Sequence, residues 1–305
     1  MRMAVLLAVL AGFGVHVDDA AGQSATGVLL LAHGGAASWN ERVLAVAKEA
    51  NATQPTEVAF GMASRAAIQG AVNRLAARGV TEIVAVPLFV SSYSSVITST
   101  EYLLGLRAEA PVDLKIFAKM DHAGHGAPAD DPHAAHVDPA SPVTVAVPVR
   151  MTPAFNRHRL IAEIVADRAR AMSTSPASEA VILVAHGPVP DDDNRRWLED
   201  MAVHADAVRA AAPFAAVEYM TVRDDAGPAM REAATAELRA KVGAQAAAGR
   251  RVLIVPHVMS FGGIEQGIRK RLDGLTYAMA DQGLMPDPRV SAWLRDSVAA
   301  SRAAP

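Results

Sequence analysis

After about residue 25 the chain alternates short, wholly apolar runs with longer stretches in which apolar positions recur every three or four residues. Unbroken aliphatic runs suit strands covered on both faces and the longer stretches suit amphipathic helices, so the alternation predicts strand, helix, strand units in a parallel sheet. Residues 27–32 read as the first strand, 38–50 as a helix opened by a capping serine, and 58–61 as the second strand. Ile68, Ala71, Val72, Leu75 and Ala76 then share one helical face, and Gly79 stands where a left-handed cap would close that helix. A strand at 83–87, a helix near 96–108 and a strand at 114–118 complete a four-stranded doubly wound unit.

The order then recurs. A strand at 143–147 and a helix at 157–170 lead into strand 181–185, helix 195–211, strand 216–220, helix 228–247, strand 251–255 and helix 264–275. Ile83-Val84-Ala85-Val86-Pro87 has its counterpart in Val252-Leu253-Ile254-Val255-Pro256, and the first strand of each half ends in Ala-His-Gly, at Ala32-His33-Gly34 and Ala185-His186-Gly187. The expected fold is α/β, with two doubly wound parallel-sheet domains facing across a cleft. Ligands of open parallel sheets collect beyond the carboxyl ends of the strands, where both histidines fall. The expected division is a leader at 1–24, a first domain at 25–120, a loop at 121–142, the last strand of the first domain with a linking helix at 143–175, and a second domain at 176–305.

Composition narrows the chemistry. The 305 residues are 51% apolar and 20% charged, as in a folded globular protein, and a net charge of −3 with interspersed signs gives no basic field for nucleic acid. There is no cysteine, which excludes disulfides, thiolate metal sites and a cysteine nucleophile. Arg2, the apolar stretch 3–15 and Ala20-Ala21-Gly22 read as a secretory signal peptide, so a periplasmic or secreted protein with no membrane span in its mature chain is expected; without that signal the protein would be cytoplasmic. The 121–142 segment carries His122, His125, His133 and His136 with Asp121, Asp130 and Asp131 and has no apolar periodicity. It reads as an exposed linker, and its functional reading is a weak cation-collecting arm.

Several motif-bearing enzyme classes drop out. His33-Gly34-Gly35 matches an esterase oxyanion loop, but no Gly-x-Ser-x-Gly nucleophile elbow exists. Ala32 stands where a histidine phosphatase needs arginine, and no Gly-x-Gly-x-x-Gly follows the first strand. Leu29-Leu30-Leu31-Ala32-His33-Gly34, Ile83 to Val90 before a serine-rich turn, Val147-Pro148-Val149-Arg150-Met151-Thr152-Pro153 and the C-terminal 283–294 stretch occur in an order that resembles the class II tetrapyrrole chelatases of the sirohydrochlorin cobaltochelatase and ferrochelatase type.

That resemblance implies ATP-independent insertion of a divalent metal, cobalt, iron or nickel, into a sirohydrochlorin-type tetrapyrrole, with no nucleotide. His33 matches the family's first histidine, as metal ligand or acceptor of pyrrole protons; imidazole suits both roles. Where the family carries a second histidine, this chain has Ser91-Ser92-Tyr93-Ser94-Ser95, whose Ser91, Ser92 and Tyr93 become candidates for contacting the macrocycle. The equivalent stretch of the second half is Ser260-Phe261-Gly262-Gly263-Ile264-Glu265. His186, His257 and Glu265 are the substitute metal ligands, with Glu265 also a catalytic candidate, although Glu265 stands four residues before Arg269 and would equally form a surface pair. Trp39, Trp197 and Trp293 read as packing residues. The alternative function is an exported, non-catalytic metal- or tetrapyrrole-binding protein on the same scaffold.

Overall fold

The computed structural model describes residues 25–121 and 137–303; the leader and the histidines at 122, 125, 133 and 136 lie outside them. The first half runs β1 (Thr26–Ala32), α1 (Ala37–Asn51), β2 (Thr56–Phe60), α2 (Arg65–Ala77), β3 (Glu82–Pro87), α3 (Ser95–Leu103), α4 (Leu114–Asp121) and β4 (Val149–Met151). After α5 (Arg159–Met172) the second half runs β5 (Glu179–Ala185), α6 (Asp191–Ala211), β6 (Ala216–Thr221), α7 (Pro228–Ala247), β7 (Arg251–Pro256), α8 (Ile264–Arg271), β8 (Ala278–Met279) and α9 (Pro288–Ala303). The strands form two parallel sheets, ordered β2-β1-β3-β4 and β6-β5-β7-β8.

β1 and β5 are buried at every position, because each is a central strand with helices on both faces. Their registers correspond: Val28 lies opposite Thr56 and Val84, and Val181 opposite Val217 and Leu253. The chain leaves each central strand toward one edge and returns on the other side, so His33 and His186 stand at the two switch points where such sheets open a crevice.

The two halves exchange their last helices. α5 packs on β7 and α6 of the second sheet, and α9 packs on β3 and α1 of the first. One apolar cluster therefore continues from Val28, Leu30, Val84 and Val86 through α1, α5, α6 and α9 to Val181, Leu183, Leu253 and Val255. Polar ties reinforce it: the Trp197 indole N–H donates to the Tyr93 carbonyl at 2.7 Å, Arg42 donates to the Ser260 hydroxyl, and Arg289 pairs with Asp167 at 2.7 Å. Trp39, Trp197 and Trp293 are all buried, the last with its ring edge-on to Phe155.

Several local expectations need correction. Residues 114–118 form the start of α4 and not a strand, because Leu114, Phe117 and Ala118 are the buried positions and that spacing is helical. The first sheet's fourth strand is β4; residues 143–147 lie outside the ladder, with Pro142 and Pro148 bracketing them and the Val143 amide donating to the Leu103 carbonyl. α1 starts at Ala37 with no side-chain cap from Ser38, whereas Ser64 does cap α2 through the Ala67 amide. α6 begins earlier than expected, with Asp191, Asp192 and Asp193 filling a first turn that favours negative charge. α8 stops at Arg271, and β8 and α9 complete the second half. Gly79 closes α2 at φ 73°, as its position implied.

Glu179 opens the central strand of the second sheet and is buried. Burial opposes its ionisation, but Ser173, the Thr174 amide, Arg251 at 2.7 Å and the Ser175 amide outweigh that and hold its pKa at about 2. A carboxylate depressed in the folded state stabilises above its ordinary range and loses that contribution as pH falls toward 2. Glu179→Gln is therefore expected to cost up to about 3 kcal/mol at pH 7 and to flatten the acid limb of stability below the ordinary glutamate range, read by urea unfolding across pH.

Candidate functional site between the lobes

Each strand-end histidine is followed by a glycine at positive φ, 80° at Gly34 and 76° at Gly187. That conformation turns the glycine carbonyl back onto the preceding ring. Nδ1–H of His33 donates to the Gly34 carbonyl at 2.5 Å, and Nδ1–H of His186 to the Gly187 carbonyl at 2.8 Å. A carbonyl can only accept, so each neutral ring carries its proton on Nδ1 and presents the Nε2 lone pair outward. Both halves have built the same tautomer at the same place.

Asp225, in the turn after β6, connects the two. Its carboxylate lies 3.3 Å from Nε2 of His186 and within Coulombic reach of His33. Burial works against the charged His186 ring, but the hydrogen bond and charge of Asp225, then Asp224 and the Gly187 carbonyl, outweigh it and raise its pKa above the ordinary value. The His186 hydrogen bond in turn holds the Asp225 carboxyl below the usual range despite partial burial, and His33 adds to this. His33 is exposed, with Trp39 edge-on at a centroid distance of 6.4 Å. His186 and Asp225 thus form a pair at the end of the second sheet, and His33 stands near enough for its charge to act on Asp225.

The other sequence candidates sit elsewhere. His257 is buried and bonded to His204 of α6, with 2.8 Å between His204 Nδ1 and His257 Nε2. Burial pushes His204 down to about 4 and His257 well below its ordinary value, His204 adding to the latter, so both rings stay neutral. The unfolded chain binds protons that this pair refuses as pH falls below the ordinary imidazole range, and the fold loses stability there. Glu265 turns back onto its own helix start, accepting from the amides of Gly262 and Gly263 at 3.1 and 3.0 Å. The structure does not bring His186, His257 and Glu265 together, and among the described residues no three metal-ligating side chains are preassembled. Ser91 is buried and accepts from the Tyr93 amide; Ser92 accepts from the Ala154 amide and its own amide donates to Asn156. Tyr93 lies under Arg196 at 5.0 Å. This turn holds the lobes together.

Asp225 is the residue that sequence reasoning missed. Its signal was present: Asp224-Asp225 follow the carboxyl end of a strand neighbouring β5, the same sheet edge that singled out His33 and His186.

The two helix-exchanged parallel-sheet lobes form an α/β scaffold of the kind seen in chelatase structures. The fold is similar to SirB from Bacillus subtilis with Fe3+ (TM-score 0.60, 15% identity, 91% of this chain and 96% of that one) and to the sirohydrochlorin chelatase SirB from Bacillus subtilis subspecies spizizenii in complex with cobalt (TM-score 0.55, 13% identity, 90% and 93%). Residues 27–172 match the CbiX family model. No curated protein sequence matches the chain.

Removing the charge of Asp225 should release the His186 ring. In Asp225→Asn the His186 pKa is expected to fall, followed by NMR titration of the imidazole protons in metal-free protein; an unchanged value would show that the carboxylate does not act on it. The two glycines should differ. A Cβ at Gly187 would stand 2.4 Å from Thr221 Cβ, whereas at Gly34 the nearest atom is 3.4 Å away on Phe60. Gly34→Ala is expected to cost about 1 kcal/mol from its backbone conformation alone, and Gly187→Ala about 2–4 kcal/mol, measured by chemical denaturation.

Proposed function

We propose that this protein is a metal chelatase that inserts a divalent ion, cobalt, iron or nickel, into a sirohydrochlorin-type tetrapyrrole between the lobes, without nucleotide. The observation that carries this reading is the pair of outward Nε2 atoms, one at the end of each central strand, with Asp225 holding the one on His186. The metal is a substrate here. Neutral imidazole nitrogens suit these ions, and two nitrogens with one exposed carboxylate hold an ion less tightly than a closed cage, as cargo requires. Insertion releases two pyrrole protons, and an unprotonated imidazole can accept each in turn and pass it to solvent. The match of residues 27–172 to the CbiX family model and the shared fold with a sirohydrochlorin chelatase support the substrate class. The leader read in the sequence would place this chemistry outside the cytoplasm.

A second reading is an exported binding protein that holds a metal or tetrapyrrole without turnover. It is favoured by the structural employment of Ser91 and Ser92, which occupy the turn where the family carries its second histidine. Full-length protein mixed with sirohydrochlorin and Co²⁺ separates the two. A chelatase shifts the absorbance above the uncatalysed rate, and His33→Ala and His186→Ala each slow this by about a hundredfold. A rate equal to the uncatalysed one, with stoichiometric ligand binding, sinks the enzyme and leaves the binder.

A further inference from the structure

The second lobe contains a cavity that the interlobe site does not use. It holds about 570 Å³ and runs along β6 between α6 and α7. β6 is an edge strand, paired only with β5. The Val222 amide donates to the Ala185 carbonyl, so alternate residues Val217, Tyr219 and Thr221 turn their main-chain groups away from the sheet. In the first lobe the corresponding edge is closed: Arg78 and Arg74 of α2 donate to the carbonyls of Thr56 and Val58 at 3.4 and 3.3 Å. In the second lobe Arg209 covers the Val217 carbonyl at 2.6 Å, and no hydrogen bond from the described residues reaches the outward main chain of Tyr219. The duplication thus left one edge capped and the other open.

Arg223 is an independent observation at the same place. It lines the cavity, is only 8% exposed, and its Nε–H has no acceptor among the described residues. Its Nη2 donates to the Val189 carbonyl and to Asp191, which fixes the guanidinium. That Nε is enclosed; Nη1, which carries no hydrogen bond among the described residues and is not enclosed, is the donor left for a ligand acceptor. At the other end Lys241 is paired with both Glu218 and Glu237, which leaves one net negative charge there and directs an anionic head to the Arg223 end. Between these ends the wall is apolar, with Leu198, Met230 and Ala233. The volume is that of a small-molecule site.

We infer that this cavity is a second ligand site, and that it takes an amphipathic organic carboxylate whose head accepts from Arg223 while its apolar body lies against Leu198, Met230 and Ala233. The outward amide of Tyr219 offers a further donor. The main-chain amide of Arg223 donates to the His186 carbonyl at 2.8 Å, so the ligand would sit directly behind the interlobe site. The proposal does not depend on chelatase activity, and its test uses neither metal nor tetrapyrrole.

Calorimetric titration of the metal-free full chain with decanoate tests it, with decanol as the neutral control. Decanoate is expected to bind one to one and decanol at least about tenfold more weakly, the loss of one charge-assisted hydrogen bond. Arg223→Gln should weaken decanoate by a similar factor. Ala233→Trp fills the cavity from an exposed helical position and should abolish binding while leaving the circular dichroism spectrum unchanged. Absence of decanoate binding, equal binding of decanol, or binding that survives Ala233→Trp overturns the proposal.

Discussion

The apolar layer shared by the two lobes is the constraint on which the rest of the structure depends. Neither half completes the cover of its own inner sheet face: beside α1 the first sheet takes α9, and beside α6 the second takes α5. Each half therefore needs the other's last helix to bury aliphatic side chains such as Leu30 and Leu183, and the lobes cannot part without exposing that layer. The indole of Trp197, held by the Tyr93 carbonyl, then fixes the rotation of one lobe on the other. His33 and His186 come from different sheets, so this packing, and no local motif, sets their mutual position.

Duplication supplies an internal comparison of what each position costs. Leu88 and His257 both follow the proline that ends the third strand of their sheet, and both donate their amide to the neighbouring central strand at 2.8 Å. The first lobe keeps an aliphatic residue there. The second buries two imidazoles, leaving His204 Nε2 and His257 Nδ1 without partners among the described residues. Burying polar groups incompletely satisfied is unfavourable, so this exchange does not serve stability. The same asymmetry marks the outer edges, where arginines seal β2 and leave β6 partly open.

The parallel strands and long helices were legible in the sequence because wholly apolar runs such as Val28–Leu31 and Val181–Val184 admit few other fates. What escaped was short or set by distant contacts. The α4 segment has five residues of ambiguous period, and only the burial of Leu114 and Phe117 against the outer face of β3 decides for helix. His257 looked like a ligand because it follows a strand end, and Glu265 because it opens the next helix. Their orientation depends on α8's own amides and on His204, which is distant in sequence. Asp225 was visible as a strand-end residue but had no motif to announce it, since its significance comes from the ring it meets.

The two strand-end histidines share a tautomer but not an environment, and this difference divides their roles. His186 is largely enclosed and hydrogen-bonded to Asp225, so it holds a proton more firmly than an ordinary imidazole. His33 is open to solvent, with only its own glycine carbonyl and the edge of Trp39 for company. On the proposed chelatase reading, a metal arriving from solvent would meet the His33 lone pair first, while displacement of the His186 proton would require competition with Asp225. Because Asp225 gains stabilisation from a cation at His186, proton or metal, it favours whichever is present at higher effective concentration. On that reading proton release at His186 would accompany metal capture, and the second lobe would contribute an electrostatic exchange that the first lobe alone does not contain.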